Sequence, residues 1–127
     1  QNLCSRHYFN NCCIIKTMNT QTAAGVFESL SSGVRLDVFR LLVKHHPEGL
    51  VAGEIASALN VPPTNLSFHL KALASAGLAS ATQEGRFQRY RANVGLMTQL
   101  IAYLTEECCH GHPGQCNGLN NVACSTC

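Results

Sequence analysis

Between Leu50 and Val94 the hydrophobic period changes twice, and this limits the architectures open to the chain more than any other feature. Val51, Ile55 and Leu59 recur at four-residue steps, Asn60-Val61-Pro62-Pro63 interrupts them, and Leu66, Leu70 and Leu73 resume at steps of four and three. The spacing predicts helices over Leu50–Leu59 and from near Pro63 to Ala76. Proline is tolerated at the start of the second, and Gly77 is placed to stop it. Beyond Gly77 the pattern changes again. Leu78-Ala79-Ser80-Ala81-Thr82 and Phe87-Gln88-Arg89-Tyr90-Arg91 flank Gln83-Glu84-Gly85-Arg86, a hairpin with a glycine turn.

Two helices are expected upstream. Thr20 or Thr22 caps the first, which runs through Leu30 with Val26, Phe27 and Leu30 on one face. Ser31-Ser32-Gly33 separates it from a second, Val34 to His45, whose Leu36, Val38, Phe39, Leu42 and Val43 offer a broad apolar face before Pro47-Glu48-Gly49 ends it. A last helix, Leu96 to about Glu107, carries Leu96, Leu100, Ile101 and Leu104. The expected fold is mainly α with a small β-hairpin, in the order α-α-α-α-β-β-α. At 127 residues it is one domain with a modest core. Residues 1–18 are expected to be an N-terminal extension, disordered or a leader, with Met18 as a candidate internal start. Residues 19–107 form the folded domain, and 108–127 a Cys-rich tail.

A net charge of +2 with only 13% charged residues does not announce a polyanionic partner. The distribution is more telling. From Asn65 to Arg91 the chain carries Lys71, Arg86, Arg89 and Arg91 against Glu84 alone. A short helix, a tight turn and a second helix opening with small polar residues describe a helix-turn-helix, and the hairpin after it a wing. Short side chains let a helix backbone approach base edges. Thr64, Asn65 and Ser67 suit that role, with Phe68 also on the outer face toward DNA, His69 near DNA or packed on the preceding helix, and Lys71 on phosphate. Arg86 at the wing tip, with Arg89 and Arg91 alternating along one strand face, suits phosphates or a minor groove. The competing reading is an ordinary solvated surface. His45-His46 reads as a solvated helix end.

All eight cysteines lie outside the stretch from Asn19 to Glu107. A disulfide-stapled secreted domain would staple its core, so a reducing cytoplasm is expected. No segment has the length or composition of a signal peptide or membrane span. Cys108-Cys109-His110-Gly111-His112-Pro113-Gly114-Gln115-Cys116 places three thiols where Gly111, Pro113 and Gly114 let the chain fold back. Adjacent cysteines rarely bridge each other, whereas clustered thiolates select soft ions. A trivalent metalloid takes three thiolates in a pyramid, while zinc takes four ligands, the fourth from His110 or His112. Cys12, Cys13, Cys124 and Cys127 are possible auxiliary ligands, or parts of inert tails. Catalysis is not expected: the pair sits at a helix C-terminus beside Glu106 and Glu107, which disfavours the thiolate.

Ser67-Phe68-His69-Leu70-Lys71-Ala72-Leu73, Ala76-Gly77-Leu78, Glu84-Gly85-Arg86 and Arg89-Tyr90-Arg91 together resemble the ArsR/SmtB family of metal-sensing winged-helix repressors. Leu30-Ser31-Ser32-Gly33-Val34-Arg35-Leu36 is similar to that family's approach to its second helix, and the resemblance extends from Thr20 to about Cys116. It implies a dimeric winged helix-turn-helix that holds operator double-stranded DNA as a homodimer and leaves it when an inducer binds. Enzymatic activity, an organic cofactor and membrane attachment are not expected. The Cys-x-Cys inducer site of the best-known arsenic sensors is absent, since Leu50-Val51-Ala52-Gly53-Glu54-Ile55 holds no cysteine. Other members carry a Cys-Cys pair and a third Cys at the end of the last helix. Cys108, Cys109 and Cys116 resemble that arrangement, which implies As(III) or Sb(III) as inducer. Zn(II) or Cd(II) sensing, a thiol redox switch and a carrier that touches no DNA remain the alternatives.

Overall fold

The computed structural model describes residues 18–106. Its elements are α1 (Thr20–Leu30), α2 (Gly33–Lys44), β1 (Leu50–Val51), α3 (Ala52–Leu59), α4 (Pro63–Ser75), β2 (Ala79–Glu84), β3 (Phe87–Ala92) and α5 (Val94–Thr105). The expected fold class holds, with one added strand. The chain divides into two compact units: Ala24–Val94 forms one, and the described residues of the other are 18–23 and 95–106.

In the second of these units Asn19, not Thr20 or Thr22, caps α1. Its Oδ1 accepts the Thr22 backbone N–H at 2.8 Å, satisfying a donor with no partner inside the helix. Thr20 Oγ1 lies 2.8 Å from Tyr103 Oη in the same unit. Met18, Ala23 and Leu100 are buried. α5 begins and ends two residues earlier than the sequence spacing indicates.

In the larger unit, α2 buries Val38, Phe39 and Leu42, α3 buries Ile55, and α4 buries Leu66, Leu70 and Leu73. Each such apolar side chain contributes roughly 1.5–3 kcal/mol of transfer free energy. The apolar face of α2 is narrower than expected: Leu36 and Val43 are about two-fifths exposed. Phe27, expected on the inner face of α1, is also exposed. Ser32 occupies the N-cap position of α2 without a side-chain bond.

Leu50 and Val51, expected as the first turn of a helix, instead form a strand. Leu50 pairs with Tyr90 and Val51 with Arg89, giving an antiparallel sheet in the order β1-β3-β2. The switch from strand to helix is fixed by Glu54, whose Oε2 accepts the Val51 N–H at 2.9 Å, one half of a capping box. Gly49 makes this pairing possible. Its φ is +74°, and a Cβ there would lie 2.1 Å from the Tyr90 carbonyl oxygen.

β2 and β3 pair from Ala79↔Ala92 to Glu84↔Phe87, so β2 runs two residues further toward the tip than the sequence pattern indicates, while β3 starts at Phe87 as expected. Gly85 takes φ +60° at the position where a type II′ turn requires it. At the hairpin base, Asn93 donates its backbone N–H to Leu78 O at 2.8 Å and its side-chain amide to Gly77 O at 2.9 Å.

Candidate nucleic-acid interface

The turn between α3 and α4 sets the outward presentation of α4. Asn60 closes α3 in the left-handed conformation (φ 53°), a state Asn tolerates better than most residues. Pro62 then stays extended at the N-cap and Pro63 occupies the first turn. With Leu66, Leu70 and Leu73 turned inward, Thr64, Asn65, Ser67, Phe68 and Lys71 are all exposed. Thr64, Asn65, Phe68 and Lys71 follow the i, i+1, i+4, i+7 spacing of a single helical stripe. Ser67 differs in detail, because its hydroxyl donates to Thr64 O on its own helix at 2.8 Å. His69 is half-buried, and its Nδ1 is sealed from solvent with no hydrogen-bond partner among the described residues. That places part of the ring against the body of the domain.

The wing carries three cations from its tip along β3 but leaves them unequal. Arg86, at the turn, is exposed and has no carboxylate within ion-pair range among the described residues. Arg89 places Nε 2.9 and 3.0 Å from the two oxygens of Glu84 and donates from Nη1 to Gly49 O at 3.3 Å. Arg91 lies 3.7 Å from the same carboxylate and donates to Thr82 Oγ1 at 3.2 Å. Sequence reasoning recognised the cations and Glu84 but missed that two of them share its carboxylate. Thr82↔Arg89 and Glu84↔Phe87 are register partners, so Glu84 and Arg89 are diagonal neighbours on one face, within reach of long side chains.

Between α4 and the wing lies a cleft of about 290 Å³, with Pro63, Leu66 and Leu70 on one side and Arg86, Phe87 and Tyr90 on the other. Phe87 and Tyr90 in this position were also missed: an alternating strand pattern names a face but not what stands opposite it.

Every cysteine, together with His110 and His112, falls outside the described residues. The expected ligands Cys108, Cys109 and Cys116 and the auxiliary Cys12, Cys13, Cys124 and Cys127 are therefore sequence observations only. Among the described residues no group of three or more His, Cys, Asp or Glu side chains is placed to hold a metal ion. Among them, too, no helix is long and apolar enough to cross a membrane.

A helix-turn-helix followed by a two-stranded wing defines the winged helix-turn-helix class. Residues 30–80 match a family model described as a helix-turn-helix domain. An ArsR-like transcriptional regulator from Rhodococcus sp. RHA1 is 30% identical, with a TM-score of 0.55 over 68% of this chain and 78% of that one. HlyU from Vibrio cholerae is 25% identical, with a TM-score of 0.56 over 69% of this chain and 96% of that one. A homodimeric winged helix-turn-helix DNA-binding domain from Mycobacterium bovis, a possible ArsR-family transcriptional regulator, is 26% identical. Its TM-score is 0.55 over 86% of this chain and 96% of that one. No curated protein matches the sequence. The chain belongs to the ArsR-like family of winged helix-turn-helix transcriptional regulators.

Proposed function

We propose that this regulator is a cytoplasmic repressor that binds operator double-stranded DNA as a homodimer and releases it on binding As(III) or Sb(III). The observation that carries the reading is the donor set just beyond α5, in which Cys108, Cys109 and Cys116 supply three thiols within nine residues. Three thiolates complete the coordination of a trivalent metalloid, and soft ions prefer sulfur to imidazole or carboxylate. The DNA-binding part rests on α4 and the wing: Thr64, Asn65, Ser67, Phe68 and Lys71 present an exposed, acid-free surface, and Arg86 lies on the wing that follows. His69, Arg89 and Arg91 complete the proposed contact set, the two arginines with their charge partly shared with Glu84. Dimerisation is supported by the homodimeric neighbour from M. bovis, and this reading assigns the interface to the first and last helices, α1 and α5.

In a dimer the two copies of α4 enter successive major grooves about 34 Å apart. Neighbouring residues on a regular helix point about 100° apart, so Cys108 and Cys109 share one ion only if the chain there departs from helical geometry. Drawing Cys116 to the same point pulls on the end of α5, tilts one subunit against the other and spoils the groove spacing. A coupling of roughly 1–3 kcal/mol, about 5–150-fold in DNA affinity, is ordinary for such switches. The test is thiol protection of the reduced protein alongside DNA release. As(III) should shield three of the eight thiols and release DNA, and Cys108→Ser should abolish both. Release that survives in Cys108→Ser would overturn the mechanism. One other reading has an observation behind it: His110 and His112 stand among the thiols and suit a four-coordinate Zn(II) site.

A further inference from the structure

Phe68 is the most exposed large hydrophobic residue among those described, at 74%. It projects from the middle of α4, on the side opposite the buried Leu66, Leu70 and Leu73. Packing within the domain does not account for it: unlike Phe87, it does not line the cleft beneath the wing. Its neighbours narrow what can cover it. Thr64, Asn65 and Lys71 share its stripe, and α4 contains no acidic residue and no arginine. The Ser67 hydroxyl proton is already given to Thr64 O, and the His69 ring is half-buried. The helix therefore lacks the arginine fork that most often reads guanine, and its central outward group is an apolar ring.

We infer that Phe68 reads the C5-methyl of thymine, so that α4 specifies a half-site centred on A·T pairs. The thymine methyl is the one apolar group a base presents in the major groove, and phenylalanine is among the side chains that contact it. Asn65, at the preceding turn, has the paired donor and acceptor that match adenine N7 and N6. The short side chain at Thr64 and the cation at Lys71 allow this surface to approach a polyanion closely. This inference rests on the operator-binding reading above and adds which chemistry of the DNA is recognised.

The test uses the DNA upstream of the protein's own gene, amplified with either dTTP or dUTP, which removes every thymine methyl and leaves the pairing edges intact. Burying one methyl-sized group is worth about a fourfold preference per half-site and about 15-fold for two. Reduced wild-type protein should favour the thymine duplex by that factor. Phe68→Ala should bind the two duplexes equally, near the wild-type affinity for uracil DNA, while Phe68→Leu keeps part of the preference. Equal binding of both duplexes by wild type, or a preference that persists in Phe68→Ala, overturns the inference while leaving operator binding intact. Failure of wild type to bind either duplex overturns the repressor reading as well.

Discussion

Substituting Glu84 by Gln should tighten DNA binding and make it more sensitive to salt. Glu84 accepts two hydrogen bonds from Arg89 at 2.9 and 3.0 Å and stands 3.7 Å from Arg91. One carboxylate thus offsets two of the three wing cations. Glutamine keeps the shape and one acceptor oxygen, and Arg89 retains its bond to Gly49 O. The partners are 27% and 42% exposed, so losing the ion pair should cost below about 1 kcal/mol of stability. The effect on DNA should be larger. Each further phosphate neutralised steepens the logarithmic salt dependence of affinity by about 0.9. One freed cation per wing, in a dimer, adds about 1.8 to that slope. Relative to 1 M salt, this amounts to about eightfold at 0.1 M for one wing and about 60-fold for two. Fluorescence anisotropy between about 50 and 200 mM salt reads the slope directly. An unchanged slope with the fold intact would mean that the wing cations do not meet phosphate.

Three further substitutions test other parts of the account. Gly49→Ala forces a left-handed residue, costing about 1–2 kcal/mol, and drives its Cβ onto the Tyr90 carbonyl. Urea unfolding should show a loss of at least about 2 kcal/mol, and wild-type stability would refute the role given to Gly49. Leu73→Ala empties a fully buried site and should cost about 2–5 kcal/mol, seen as a lower urea midpoint at unchanged slope. Cys116→Ser should leave operator affinity in the absence of inducer within about twofold of wild type, since the switch energy of roughly 1–3 kcal/mol enters only with the ion. It should abolish release by As(III), and retained release would exclude a three-thiol site that includes Cys116.

The parts of the fold legible in the sequence are those fixed by local chemistry. Leu66, Leu70 and Leu73 repeat at helical steps and are buried together, and the Asn60–Pro63 turn falls where the apolar repeat breaks. What escaped depends on partners distant in the chain. Leu50 and Val51 fit the four-residue repeat as well as a strand does, and only β3, some forty residues on, decides between them. Leu36 and Val43 read as core because apolar character marks a candidate for burial, whereas the width of the buried arc is set by what packs against α2. Charge counting found Arg89 and Arg91 but not their tie to Glu84, which exists only in the register of β2 against β3. The exposed stripe on α4 was legible for the opposite reason: once the inner face of a helix is known, its outer face follows. Cys108, Cys109 and Cys116 lie outside the described residues, so the site proposed for them rests on their spacing in the sequence and on donor type.

The most direct test of the central claim is anisotropy of a labelled fragment of the protein's own promoter, saturated with reduced protein and then titrated with As(III), Sb(III) or Zn(II). The account predicts a retained complex with Zn(II) and release by As(III) or Sb(III), with affinity falling about 5–150-fold. Release by Zn(II) alone, or a complex indifferent to every ion, would contradict it.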